Sequence, residues 1–261
     1  MLRPIEAVKR KLPIPVTATD PFRHHPELRD KIKPAELCFF RDLDMEVLDQ
    51  QLMDAGYPRD WRTPCAIRER NRQDFLQAHM DRDLWVFAYG SLMWDPGIEF
   101  AEVRKAHCEG YQRCFCLWDE GGRGSPEAPA LMLAIDDGAE CEGLAYRIDA
   151  SKLDHETFVL FRREMIAEAY RPTWMPLTTA DGTITALGFV ANHDNERIRP
   201  DLTLSQQASM IAVATGLLGS NFDYLSDTCD HLQLLGITDP YLTELIAQTI
   251  AARAKADLKN A

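Results

Sequence analysis

The chain has 261 residues, 46% hydrophobic and 27% charged, which is ordinary globular usage with ample apolar material for a core. Its 29 basic and 41 acidic residues leave a formal charge of −12, a surface that repels phosphate backbones and anionic membranes, so neither nucleic acid nor a membrane is the expected partner. No stretch reaches the ~20 uninterrupted apolar residues of a spanning helix, Met1–Glu6 opens no signal-like apolar run, and seven cysteines without a Cys-x-x-Cys pair read as reduced thiols, so the expected location is the cytoplasm.

Residues 1 to about 82 form an N-terminal extension, irregular and then helical, without an obvious strand. Pro4, Pro13, Pro15, Pro21 and Pro26 punctuate its first part and predict an extended arm. From Pro34 onward, Leu37, Phe40, Leu43, Val47 and Leu48 recur mainly at steps of three and four, which predicts a helix, and Arg70 to Met80 predicts another.

Residues 83 to about 195 read mostly as strands. Leu84 to Tyr89 is an apolar run ended by Gly90-Ser91, and Tyr111 to Leu117 alternates at period two, which puts Cys114 and Cys116 on one face. Leu131 to Ile135, Gly143 to Ile148 and Thr183 to Val190 complete the predicted strands, with a glycine-rich turn at Gly121 to Pro126. One helix interrupts them, from about Ala150 to Ala169. The remainder predicts helices over 205–218, 221–235 and 239–256, with Gly219 and Gly236 just past two helix ends and Asp239-Pro240 opening the last. Strands in the middle with helices fore and aft predict an α+β architecture.

Three constellations bear on chemistry. At Tyr89-Gly90-Ser91-Leu92 a strand runs into a turn whose backbone N–H groups can face a carboxylate or an oxyanion, or can simply end the strand. Ser91 is a conceivable nucleophile there, although the sequence lacks the second glycine of a Gly-x-Ser-x-Gly elbow. On the predicted helix, Phe158, Phe161, Met165 and Ala169 make an apolar stripe with Glu164 at its edge, one turn after Leu160. There Glu164 borders a pocket as a base with a raised pKa, assisted by Glu168 one turn on, or it lies on a solvated flank with Arg162 and Arg163. In Gly121-Gly122-Arg123-Gly124-Ser125-Pro126 the ending of a phosphate loop is missing and a hairpin is the default, with Arg123 free to meet a carboxylate bidentately. The histidine spacing offers no metal site.

Together these motifs resemble one family. Val86 to Trp94 looks like the substrate-binding Tyr-Gly-Ser-Leu motif of the γ-glutamylcyclotransferases, and Phe161-Arg162-Arg163-Glu164 resembles the segment carrying the catalytic glutamate in their ChaC branch. Cys116-Leu117-Trp118 with Gly122 to Pro126, and Tyr170-Arg171-Pro172-Thr173-Trp174 downstream, are similar to further ChaC segments in the same order. The resemblance covers roughly residues 83 to 240, makes 83–261 the catalytic domain, and leaves residues 1–82 outside. It implies a mixed β-barrel core with flanking helices, glutathione as substrate, 5-oxoproline and cysteinylglycine as products, and no cofactor. It assigns Glu164 as general acid/base and Tyr89, Gly90, Ser91 and Leu92 as the substrate-binding loop, with Arg123 and Tyr170 orienting the peptide. A serine-type γ-glutamyl hydrolase using Ser91, or a γ-glutamyl-binding module without catalysis, are the alternatives.

Overall fold

The computed structural model describes residues 20–54 and 56–260. The arm prolines Pro4, Pro13 and Pro15 lie outside the described residues. Five strands close into a barrel in the order β1-β3-β2-β4-β5. They are β1 (Leu84–Ala88), β2 (Glu102–Asp119), β3 (Ala130–Ile148), β4 (Tyr170–Thr179) and β5 (Gly182–Ala191). Closure comes from parallel pairing of β1 with β5, Trp85 opposite Ala186 and Val86 opposite Leu187. A closed sheet leaves no long free edge and encloses one core, here built from Phe87, Phe115, Leu131, Ile135, Leu144 and Phe189, all essentially without solvent contact.

The two predicted strands Leu131–Ile135 and Gly143–Ile148 are halves of the single strand β3. Its middle residues Asp137 to Glu140 are exposed where the β2–β3 hairpin runs past the barrel, and β2 carries a register shift between Glu109 and Tyr111 opposite them. With no core to face, that stretch has Ala139 as its one apolar residue and gives no strand signal. β4 is absent from the predicted strands because Pro172 and Pro176 interrupt it. A proline removes one ladder donor. β4 tolerates two because its continuous pairing is with β5, from Tyr170–Ala191 to Thr179–Gly182, and it meets β2 at His107–Thr178.

Six helices surround the barrel among the described residues: α1 (Met45–Asp54), α2 (Cys65–Leu76), α3 (Leu153–Glu164), α4 (Leu204–Val213), α5 (Asn221–Leu235) and α6 (Pro240–Asn260). None of them is long and apolar enough to cross a membrane. Gly236 ends α5 in the left-handed region at φ 73°, and Asp239 caps α6 by accepting from Leu242 N at 3.1 Å, as the sequence predicts. Gly219 does not follow a helix end. α4 stops at Val213, and a two-stranded turn of β6 (Thr215–Gly216) and β7 (Gly219–Ser220) intervenes. Gly216 is needed there because a Cβ would stand 2.5 Å from Gly122 O and 2.6 Å from Gly124 O.

The N-terminal segment wraps the barrel and α3. Rather than an extended arm, its first described part is a series of turns, with Val103 N donating to Pro21 O at 3.0 Å and Leu28 and Ile32 buried. The predicted helix from Pro34 is a short 3-10 turn at Ala35–Leu37 followed by α1, and Leu37 and Val47 are exposed rather than on a buried stripe. The helix predicted over Arg70–Met80 is α2, which begins earlier and ends at Leu76. Phe75 and His79 stack on Trp174 of β4, at centroid distances of 5.0 and 4.0 Å. Arg72 of α2 is buried against α3, donating to Thr157 Oγ1 and to the Asp154 carboxylate at 2.7 Å each.

Candidate active site

β1 delivers the chain into Tyr89 and Gly90, after which Ser91–Met93 forms one 3-10 turn. The turn is fixed from several sides. Arg113 Nε donates to Tyr89 O at 2.7 Å, Met93 N to Gly90 O at 2.8 Å, and the buried Tyr146 hydroxyl to Met93 O at 2.7 Å. Arg113 itself is anchored by Asp239 Oδ2 at 3.0 Å, so the cap residue of α6 also stiffens this loop. Gly90 lies against β3, where a Cβ would meet the Leu133 side chain at 3.2 Å. The Tyr89 hydroxyl donates to Phe189 O at 2.9 Å, and its ring is buried.

α3 reaches the same place from the other side. It ends at Glu164, five residues before the predicted Ala169, and the chain turns into β4 through Glu168, whose φ of 52° lies in the left-handed region. The predicted stripe is corrected accordingly: Leu153, Leu160 and Phe161 are buried, Phe158 is 39% exposed, and Met165 and Ala169 lie beyond the helix. Glu164 is no solvated flank, since its side chain keeps 13% of its exposure. Burial raises its pKa above the usual glutamate range, opposed by the Arg163 guanidinium, whose Nε lies 3.1 Å from Oε1. Glu168 does not contribute as expected. It leaves the helix and accepts instead from Asn71 Nδ2 at 3.1 Å.

Arg163 ties the two halves of the site together. Its Nη2 donates to Ser91 Oγ at 2.7 Å, Nη1 donates to Asp95 O, and the guanidinium covers the Phe40 ring at 4.8 Å. Three buried phenols feel the charge of Glu164. Tyr89 and Tyr170 are driven well above the ordinary tyrosine range, chiefly by burial, with Glu164 adding to it. Tyr224 of α5 is pushed up to about 12 by burial and Glu164, with Arg163 and Arg123 pulling against them. Tyr170 Oη donates to Leu133 O at 2.9 Å, opposite Gly90.

The glycine-rich loop closes this side. Asp119 receives the backbone N–H groups of Gly121 and Gly122 at 3.1 and 2.9 Å, and Leu218 N donates to Gly122 O at 2.7 Å, docking the β6–β7 turn onto the loop. Arg123 lies over the Tyr224 ring at 5.6 Å and gives Nη1 to Ser220 O at 3.4 Å. Its Nε is buried without a partner, which leaves a donor for a ligand oxygen.

The predicted residues Tyr89, Gly90, Ser91, Leu92, Glu164 and Tyr170 therefore converge about β3 and the end of α3, and Arg123 joins them through Tyr224. Sequence reading missed Arg163 and Tyr224. Arg163 stood beside Glu164 in a charged run, and only its reach to Ser91, 72 residues earlier, sets it apart from Arg162. Tyr224 gave no signal, since one aromatic in an amphipathic helix reads as core.

Residues 84–252 match the family described as ChaC-like protein, close to the 83–240 expected, and residues 20–82 lie outside the match. The glutathione-specific gamma-glutamylcyclotransferase of Escherichia coli (strain K12) is 38% identical over 164 residues, 62% of this chain and 71% of that protein. The glutathione-specific gamma-glutamylcyclotransferase 1 of Homo sapiens is 30% identical over 179 residues, 67% of this chain and 78% of that protein. Among solved structures, a γ-glutamyl cyclotransferase specific to glutathione from yeast shares the fold at TM-score 0.59 and 20% identity, covering 66% of this chain and 99% of that one.

Proposed function

The chain belongs to the ChaC-like family, and from that membership we propose that it is a glutathione-specific γ-glutamylcyclotransferase, releasing 5-oxoproline and cysteinylglycine. The observation that carries the mechanism is the buried Glu164 carboxyl with its raised pKa, one residue from the arginine that grips Ser91. In glutathione the γ-glutamyl α-amine can close a five-membered ring on its own γ-carbonyl, so nucleophile and electrophile come in one substrate. The reaction then calls for no cofactor and no enzyme nucleophile. It needs a proton acceptor, because the free amine is largely protonated near neutral pH. Glu164 takes that proton, the amine attacks, and Glu164 returns the proton to the departing cysteinyl nitrogen. Burial makes its carboxylate a stronger base than one in water.

The loop Tyr89-Gly90-Ser91-Leu92 holds the γ-glutamyl head in the ring-closing conformer, an effect of orientation. Its turn N–H groups face the developing oxyanion or the α-carboxylate. Arg123, with its unpaired Nε, and Tyr170 orient the remainder of the peptide. Residues 1–82 are an extension to the catalytic domain 83–261, and the seven free thiols suit a reducing cytoplasm.

The serine-hydrolase alternative fits less well. Ser91 Oγ accepts from a guanidinium, which stays protonated and cannot take the serine proton. Incubation with glutathione separates the readings: cyclisation yields 5-oxoproline, whereas hydrolysis yields free glutamate. Glu164→Gln is expected to lower 5-oxoproline release by about 10²–10⁴-fold while folding normally. Ser91→Ala is expected to weaken turnover without abolishing it. Glutamate as the product, or near-parental turnover in the Glu164 variant, would overturn the assignment.

A further inference from the structure

α2 starts at Cys65, just after Pro64, and this thiol is exposed. Two guanidiniums donate to its sulfur, Arg62 Nη1 at 3.2 Å and Arg68 Nη2 at 3.5 Å. Arg62 already has a counter-charge, since Asp49 Oδ1 accepts from its Nε at 2.7 Å. Arg68 has none. It is 4% exposed, makes no ion pair among the described residues, and its Nη1 is buried without a partner. A second guanidinium, that of the half-buried Arg162 of α3, also lacks an ion pair among the described residues, donating to Phe40 O at 2.7 Å and to Arg41 O, with its buried Nε unpartnered. Burial pulls Arg68 below the ordinary guanidinium range. The charge of a Cys65 thiolate opposes that, while Arg62 and Arg162 add to it. A buried cation and a half-buried one, neither with a carboxylate among the described residues, call for an anion, and the sulfur that Arg68 meets stands where it would be.

We propose that Cys65 is a modification site, at which the thiol exchanges with a small disulfide that carries carboxylates. The exposed sulfur, first loses its proton to solvent, then attacks one sulfur of the reagent. A new S–S bond forms to Cys65, the reagent's own S–S bond breaks, and the leaving thiolate carries off the electron pair. The two guanidiniums at the sulfur receive the carboxylates of the bound half. Room for that half lies across Arg62 from the sulfur, in an open cleft of about 450 Å³ where Arg62 and Arg197 face Asp60, Asp194 and Glu196. Lining groups of both signs suit a zwitterionic peptide. Five of the other six thiols differ: Cys38, Cys108, Cys116 and Cys141 are buried, and burial drives Cys108 and Cys229 up to about 11, whereas Cys114 is half-buried and held below the usual thiol range by its hydrogen bond with Cys116.

The proposal goes beyond the cyclotransferase reading and does not depend on it, because the readout is an adduct rather than turnover. Reduced full-length protein is incubated with glutathione disulfide or, in parallel, with the cationic disulfide cystamine, and adducts are mapped by peptide mass. Expected are a glutathionyl adduct at Cys65, none there in Cys65→Ser, and exchange with glutathione disulfide about tenfold slower in Arg68→Gln, with cystamine affected less. Arg68→Lys keeps the charge and is expected to recover most of the rate. The net charge of −12 draws cystamine to the surface, so a parental protein that prefers cystamine at Cys65 would overturn the idea without recourse to any variant. Adducts spread over Cys65, Cys114 and Cys229, or equal rates in parent and Arg68→Gln, would reduce Cys65 to a merely exposed thiol.

Discussion

Arg41 ties the N-terminal segment to the helix that ends in Glu164. Its guanidinium meets the Glu156 carboxylate side by side, Nη1 to Oε2 at 2.7 Å and Nη2 to Oε1 at 2.9 Å. The carboxylate is 2% exposed and the guanidinium 12%. In Arg41→Met the aliphatic stem stays but Glu156 is left buried with Glu99 N–H at 2.8 Å as its remaining donor. Breaking such a pair from one side costs about 3–5 kcal/mol, since the stranded charge cannot reach water. For a chain of this size that is a fall in Tm of about 10 °C. Thermal unfolding followed by circular dichroism measures it. Adding Glu156→Gln to Arg41→Met removes the stranded charge and is expected to return most of the loss, so the two changes are strongly non-additive. A loss below about 1 kcal/mol, or no recovery in the double variant, would refute the view that this pair holds the segment on α3.

Other expectations follow from the same geometry. Because the folded pKa of Glu164 is raised, charging it costs stability as pH climbs past the ordinary glutamate range. Glu164→Gln is therefore expected to match the parent at acid pH and to exceed it in Tm near pH 8; a variant less stable at pH 8 contradicts this. Arg163 lowers the Glu164 pKa, so Arg163→Gln is expected to move the acid limb of kcat/KM to higher pH, read from a pH–rate profile on glutathione. An unmoved limb would place the titrating base elsewhere. In Gly216→Val the new Cβ meets backbone carbonyls of the glycine loop rather than a side chain that can swing away. Loss of about 1–3 kcal/mol of stability, with a raised KM from displacement of Arg123, is expected in unfolding and steady-state assays.

Much of this protein can be read in its sequence wherever the signal is local. The apolar run at Leu84–Ala88 stopping at Gly90, the left-handed Gly236 and the Asp239-Pro240 start of α6 depend on a few neighbouring residues, and each emerges as read. Glu164 stood at the edge of an apolar stripe, and the folded helix leaves it largely covered. Other features belong to contacts between distant segments. β3 is continuous although its exposed middle lost the apolar pattern, and β4 survives two prolines because continuous pairing with β5 supports it. Arg163 and Arg162 are adjacent and chemically alike, yet one reaches Ser91 and the other Phe40 O. Composition cannot separate them, because helix rotation and the segment packed outside decide which guanidinium faces the site. Residue order sets turns, caps and stripes through short-range sterics and hydrogen bonding, whereas the partner of a buried charge is settled only when the barrel and its wrapping segment close around it.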